Sequence, residues 1–448
     1  MTQTFAQADD PSEKPMHPSL RPTADPVSGW SLSRLTDILL ILIVAFLITL
    51  KFREYFNGNF VLIVASLLYV SRSIFPDETR GRAGRLNLLD LSLSLVVLSE
   101  GYNYFRSTYR PNSFLSLAEI LFLFLFYWLV RLNLTREYQR TSLFMFLSLS
   151  GVFMAGVAFS SFPALYGHLR ALGFDDVTSF RNYIYIFNPI GLSIGEWCTV
   201  LFLLLPFPLI LIVKYRACRY TRWLLTLAAT GILLTMVLTF IRGVYIAATV
   251  FFVVGSSLFW VYRVFPLRKI VAFNLTVILL LSVGIVPIWR PTLVTFSLFS
   301  TTSQVRSFEA REKVWKDSLH MFEDYPVTGV GASNFTMKYV AYRGDHEEAA
   351  FALRPFNFVL HILVERGLVG LFAYGFLFFS FIFVSYKKVA RLRGDVYRQS
   401  IVLLFVTAIV SVLVRDMSES SIFINRGVGV LLWFIFANVA GSEEEVSA

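Results

Sequence analysis

Long apolar runs alternate with short charged gaps along most of the chain. Each run approaches the roughly 20 residues that a helix needs to cross a bilayer. The runs are continuously apolar instead of alternating, which favours helices over strands. The pattern predicts an all-α polytopic membrane protein of about twelve transmembrane helices, near residues 36–50, 58–75, 86–105, 113–130, 141–159, 190–213, 221–241, 243–262, 270–288, 358–386, 399–415 and 419–440.

The gaps between these runs divide the chain into five parts. We expect a disordered cytoplasmic tail at 1–33, spans 1–9 within 34–288, a large loop at 289–354, spans 10–12 within 355–440, and an acidic cytoplasmic tail at 441–448. The large loop is 66 residues long, and connections of that length are usually functional. It contains a predicted amphipathic helix from Arg311 to Phe322.

Composition supports the membrane prediction. Of 448 residues, 56% are hydrophobic and 16% charged, whereas a soluble domain has roughly 25% charged residues. The net charge is +10, but the basic residues are not concentrated in a module of the kind that binds nucleic acid. We therefore expect no nucleic-acid partner.

The positive charge instead indicates topology. Five expected inner loops carry 19 Lys and Arg, whereas the short outer stretches, 411–421 among them, carry 8. The positive-inside rule therefore predicts that both termini are cytoplasmic and that the 289–354 loop lies outside.

Several arginines lie on the predicted outer face. Paired guanidinium groups bind phosphate oxygens bidentately, so a group of them suits a diphosphate. The alternative is that each contacts lipid headgroups or pairs with a nearby acid. The candidate ligand-binding arginines are Arg242, Arg306, Arg311, Arg343 and Arg354.

Three titratable residues near the same face are candidate bases. His361 and Glu365 are four residues apart on one predicted helix, so they share a face. An ionisable pair at membrane depth indicates a role, although an interfacial capping pair is the alternative. His346 is a candidate proton acceptor or part of a solvated loop tip. The sequence has no zinc-type spacing, phosphate-binding loop or nucleotide fingerprint, so we expect no cofactor.

Three stretches of the chain carry a family resemblance. They are Phe240–Tyr245, with Arg242-Gly243 at its centre; Arg311–Phe335, containing Pro326-x-x-Gly329-x-Gly331; and Phe356-Asn357 followed by Gly367-x-x-Gly370. In their order and placement they resemble the bacterial O-antigen ligase and polysaccharide polymerase superfamily.

The resemblance implies a GT-C-like membrane glycosyltransferase at the periplasmic face of the inner membrane. Such an enzyme transfers glycan from undecaprenyl diphosphate to an acceptor sugar, inverts the anomeric centre and needs no metal. Arg242 and Arg311 are implied to hold the diphosphate, and Asn357 joins the substrate-binding residues. The implied partners are an undecaprenyl-diphosphate-linked oligosaccharide, the lipid bilayer, a flippase and chain-length regulator proteins.

One position departs from the family pattern. Ligases of the family have a His before the Asn at 357, and this chain has Phe356. Phenylalanine cannot take a proton, so His361, His346 and Glu365 stay open as bases, and a polymerase is favoured over a ligase. A transporter using Asp90, Glu196 and Arg426 and a noncatalytic assembly subunit are the remaining alternatives.

Overall fold

A computed structural model describes residues 86–134, 136–173, 193–239, 241–285, 302–344, 354–420 and 426–441. Regular structure in these ranges is helical throughout. The helices in chain order are α1 (Leu88–Arg106), α2 (Arg110–Asn133), α3 (Glu137–Ala171), α4 (Ile194–Leu204), α5 (Pro206–Lys214), α6 (Arg219–Val237), α7 (Arg242–Val261), α8 (Leu267–Ile285), α9 (Thr302–Asp324), α10 (Phe335–Tyr339), α11 (Phe358–Arg391), α12 (Val396–Asp416) and α13 (Arg426–Gly441).

Seven segments of the described chain are long and apolar enough to cross a membrane. They are α2, α3, the α4–α5 pair, α6, α7, α11 and α12. Helices α1, α8 and α13 coincide with three further expected spans. The helical, multi-pass architecture is therefore confirmed, whereas the expected spans at 36–50 and 58–75 and the 1–33 tail lie outside the described residues. The count of twelve stays a prediction.

Side-chain caps begin several helices and explain acids that the sequence places at membrane depth. Asn87 and Asp90 form a capping box at the start of α1, and Ser193 and Glu196 form another at α4. Such boxes satisfy backbone N–H groups that have no partner within the helix. Asp90 also accepts a hydrogen bond of 2.5 Å from the buried Tyr127 hydroxyl and pairs with Arg131. Both acids thus have structural partners, which removes support for a charged transport path through them.

The helices are held together by close aromatic packing. Helix α1 lies along α11, α7 along α12, and α13 along α2. Phe144, Phe207, Phe405 and Phe434 from four helices meet at ring-centroid distances of 5.3–6.4 Å. Lipid is as apolar as these side chains, so packing quality and interhelical hydrogen bonds stabilise such a bundle.

Helix α9 and the segment after it lie at one end of the bundle. Helix α9 contains the predicted amphipathic stretch, and it packs against α11 and the short α10. Val314, Met321, Val330 and Phe335 form a separate small apolar core there with the start of α11. This part of the large loop is therefore a folded unit attached to α11.

Candidate functional site

The Pro-x-x-Gly-x-Gly segment at 326–331 is bound along a kink in α11. The helix is broken at Gly367, whose φ is 63° and ψ −161°. The break leaves backbone groups of 364–369 available to the segment, and the two stretches exchange hydrogen bonds of 2.9–3.2 Å. Val330 donates to Val364, Gly331 to Glu365, Leu368 to Pro326 and Val369 to Val327.

Glycines make this contact sterically feasible. Gly329 and Gly367 both have positive φ, and a Cβ on either would overlap the backbone of the opposite stretch. At Gly331, whose φ is 104°, an added Cβ would overlap the Ser107 hydroxyl. Only glycine combines that backbone conformation with the absence of a side chain. The motif is therefore a docking element that fixes residues 326–335 on α11 and on the end of α1. We call these residues the outer segment, after the side of the membrane that the sequence predicts for them.

Glu365 is the central acceptor of a buried polar network. Its carboxylate accepts backbone N–H groups of Ser333 at 2.9 Å and Phe335 at 3.1 Å. His361 Nε2 lies 3.1 Å from the same carboxylate, and Arg366 Nη1 donates to it at 3.1 Å. The sequence expectation that His361 and Glu365 share a face is confirmed. The pair connects α11 to the outer segment.

The network continues into α1. Arg366 also donates to Glu100, which accepts a further hydrogen bond of 2.9 Å from the Tyr374 hydroxyl. Asn103 donates to the Glu365 carbonyl at 3.1 Å and accepts the Ala332 N–H at 2.7 Å. Because a buried charge without a counter-charge is costly, these groups fasten α1, α11 and the outer segment to one another.

A second cluster surrounds the residues that follow α12, which we call the 417–420 turn. Asn357 caps α11 through its Oδ1, and its Nδ2 donates to the Met417 carbonyl at 3.1 Å. Gly243, next to Arg242, lies so close to the turn that a Cβ there would be 2.9 Å from the Ser418 Oγ. The turn therefore brings the first and last motif stretches together.

The carboxylate of Glu419 in this turn attracts two of the candidate arginines. Arg354 Nη2 lies 3.0 Å from Glu419 Oε2, and Arg311 Nη2 lies 3.7 Å from Oε1. Both guanidinium groups also stand over the Phe356 ring, at 5.4 Å for Arg311 and 5.7 Å for Arg354. Cation–π contacts of this kind hold guanidinium planes in place.

Phe356 occupies a constrained position. Its φ is 53°, a conformation that bulky residues rarely adopt. The preceding Pro355 carbonyl accepts a hydrogen bond of 2.8 Å from Trp315 Nε1 on α9. The tertiary structure therefore holds the ring against the arginines at some conformational cost.

The cluster suits an anionic group. Arg311 and Arg354 bring two positive charges to Glu419, which supplies one negative charge, and Arg242 is next to Gly243, which lies against the same turn. Guanidinium forks bind phosphate oxygens bidentately, so a diphosphate matches this surplus. Among the described residues no group of three or more His, Cys, Asp or Glu could hold a metal ion.

The structure assigns two of the remaining predicted residues to elements of the fold. Arg306 lies within α9, and Arg343 lies in the turns that follow α10. His346 lies outside the described residues, and its role as a base stays a prediction. The sequence motifs do not identify Glu419, because the 411–421 stretch lies outside all three of them. The sequence does contain a signal for it: Arg415, Asp416 and Glu419 form a group of charges at the end of an apolar span.

Residues 227–375 match a family model described as O-antigen ligase. No curated protein matches the chain. The matched segment runs from α6 into α11 and contains Arg242, Arg311, the Pro-x-x-Gly-x-Gly segment and Asn357. The match confirms the resemblance predicted from the motifs and supports a ligase or polymerase role in O-antigen biosynthesis, of a glycosyltransferase-like kind. Over these residues the chain is similar to the O-antigen ligase family.

Proposed function

We propose that this protein is a polymerase that lengthens lipid-linked polysaccharide at the periplasmic face of the bacterial inner membrane. It transfers the growing glycan from undecaprenyl diphosphate to the sugar of another lipid-linked repeat unit. Both termini are cytoplasmic in this proposal, and a flippase and a chain-length regulator are its partners. The products are O-antigen or exopolysaccharide chains.

The observation that carries the proposal is the meeting of the three motif stretches at the 417–420 turn. It brings Arg311 and Arg354 to one carboxylate and places Gly243 and Asn357 against the same turn. A glycan linked to a diphosphate is already activated, so the enzyme must stabilise the leaving diphosphate. Preorganised cations aimed at developing negative charge do this. The mechanism we propose inverts the anomeric centre and uses no metal.

Phe356 supports the polymerase over the alternative enzyme, a ligase. O-antigen ligases of the family have a His at that position, and this chain has a ring packed under two guanidinium groups. The ligase is kept as the second candidate because the matched family model is described by that activity. It would transfer the glycan to lipid A core or to another acceptor.

A strain lacking the gene, complemented with variants, tests the proposal and separates the two enzymes. Deletion should remove high-molecular-weight polymer while leaving lipopolysaccharide capped with single repeat units. Loss of all capping would instead assign the ligase. Arg311→Ala and Arg242→Ala should each fail to restore long chains at wild-type protein levels.

Lys316→Ala is the matched control for Arg311→Ala, because it also removes one positive charge from α9. Lys316 is exposed and pairs locally with Glu312. The variant should restore polymer of wild-type length. Wild-type chain length from the Arg311 and Arg242 variants would refute the proposal. Purified protein that forms longer products from a lipid-linked oligosaccharide would exclude a transporter and a noncatalytic assembly subunit.

A further inference from the structure

Glu419 combines contact with the arginines and an unsatisfied acceptor. Its side chain is 14% exposed and therefore largely enclosed, and its Oε2 atom is buried. Its Oε2 is within 3.0 Å of Arg354 Nη2, but it accepts no hydrogen bond of good geometry from the described residues. A buried carboxylate oxygen in that state has capacity for another donor. A hydroxyl group is one such donor.

Glu419 lies near Phe356, the residue that stands where ligases of the family have a histidine. Arg311 and Arg354 each contact both the Glu419 carboxylate and the Phe356 ring. Asn357, the neighbour of Phe356, is hydrogen-bonded to Met417, two residues before Glu419. The carboxylate therefore lies in the same arginine cluster as the residue that cannot take a proton.

The other described candidate bases already have structural partners. The Glu365 carboxylate accepts two backbone N–H groups and an Arg366 hydrogen bond, and it is 4% exposed. His361 is paired with it and is 6% exposed. Using either group as a base would disturb the bonds that hold the outer segment to α11. Glu419 can change partners without that consequence.

Resting on the function proposed above, we infer that Glu419 is the catalytic base, exchanged for the substrate diphosphate at the two arginines. When the donor binds, Arg311 and Arg354 transfer from the carboxylate to the diphosphate. Glu419 is then released from the arginines and turns to the opposite face of the sugar, where it accepts the proton of the acceptor hydroxyl. The ligand of this cluster is thus a polyprenyl diphosphate. The Glu419 carboxylate occupies the two arginines until the diphosphate binds.

The acceptor oxygen forms a bond to the anomeric carbon from the face opposite the diphosphate. The bond between that carbon and the diphosphate oxygen breaks, and its electron pair leaves with the diphosphate. The acceptor proton moves to the Glu419 carboxylate and is later released to water. Arg311 and Arg354 stabilise the charge that develops on the leaving group.

Purified full-length protein in nanodiscs provides two independent readouts, binding of undecaprenyl diphosphate and transfer from a lipid-linked oligosaccharide. Glu419→Gln should bind undecaprenyl diphosphate several-fold more tightly, because the competing charge is gone. Its transfer rate should fall about 10²- to 10⁴-fold, the usual contribution of a general base. Glu419→Asp should keep intermediate activity.

Chemical rescue distinguishes a base from a structural residue. Added formate should restore part of the transfer rate of Glu419→Ala and leave the wild-type rate unchanged. Glu312→Gln, on the exposed side of α9, is the control and should behave as wild type in binding and transfer. A merely structural Glu419 would give weaker lipid binding in Glu419→Gln and no response to formate.

The outcomes separate this inference from the proposed function. Transfer by the wild-type protein together with a Glu419→Gln rate within about threefold of it would overturn the assignment alone. Weaker binding by Glu419→Gln would also overturn it. Absence of transfer by the wild-type protein, with intact lipid-linked substrate recovered, would overturn the proposed function and the base assignment together.

Discussion

Gly329 and Gly367 lie in two backbone stretches that pass so close to each other that neither glycine can carry a side chain. The first belongs to the outer segment and the second to the kink of α11, 38 positions further along the chain. The contact between the two stretches places residues 326–331 along the broken helix and aligns Ser333 and Phe335 with Glu365. The docking of residues 326–331 on α11 therefore requires glycine at both positions.

Gly329→Ala and Gly367→Ala should each destabilise the outer segment by about 2–4 kcal/mol, since an added Cβ meets backbone at positive φ. The thermal midpoint of detergent-solubilised protein and the protease sensitivity of residues 302–344 measure this. Gly375→Ala, in the same helix with open space at its Cβ, should be neutral or slightly stabilising. Equal behaviour of the three variants would contradict the contact.

Glu365→Ala should loosen the outer segment more than any exposed acid substitution. It leaves two buried N–H groups without acceptors and Arg366 with one fewer counter-charge, at a cost of about 3–5 kcal/mol. Hydrogen exchange at Ser333 and Phe335 should rise sharply. Glu323→Ala, an exposed change in α9, should leave that exchange unaltered; protection at both amides in Glu365→Ala would argue against the network.

Asn357→Asp separates the helix cap from the contact with the 417–420 turn. A carboxylate keeps the cap on the Leu360 N–H but cannot donate to the Met417 carbonyl. We expect near-wild-type thermal stability with a strong loss of polymer. Asn357→Ala should lose the cap as well, at about 1 kcal/mol. If the two variants have equal stability and full activity, the amide does not position the turn.

Transfer by the purified protein should be insensitive to chelators. The proposed stabilisation of the diphosphate comes from arginines, whose charge does not depend on a bound ion. Adding EDTA and then excess Mg²⁺ should change the transfer rate by less than about twofold. A rate that collapses with EDTA and returns with Mg²⁺ would assign the diphosphate to a metal.

The helices and several local pairs could be predicted from the sequence. A span requires only a run of apolar residues, and a pair four apart requires only helical geometry. The spacing therefore predicts that His361 and Glu365 share a face, and the length of the 289–354 loop predicts that the loop is functional. The family motifs placed Arg242, Arg311 and Asn357 among the candidates for the same reason, because each is recognised from its neighbours in sequence.

The partners of those residues were decided by the tertiary structure. Arg311 pairs with Glu419 across 108 positions, and Glu100 with Arg366 across 266. No local periodicity encodes such contacts, because they arise only when distant helices pack and their buried charges require counter-charges. The sequence by itself determined a helical membrane protein with a large arginine-bearing loop; packing alone decided that a glutamate after α12 would contact the same two arginines as Phe356.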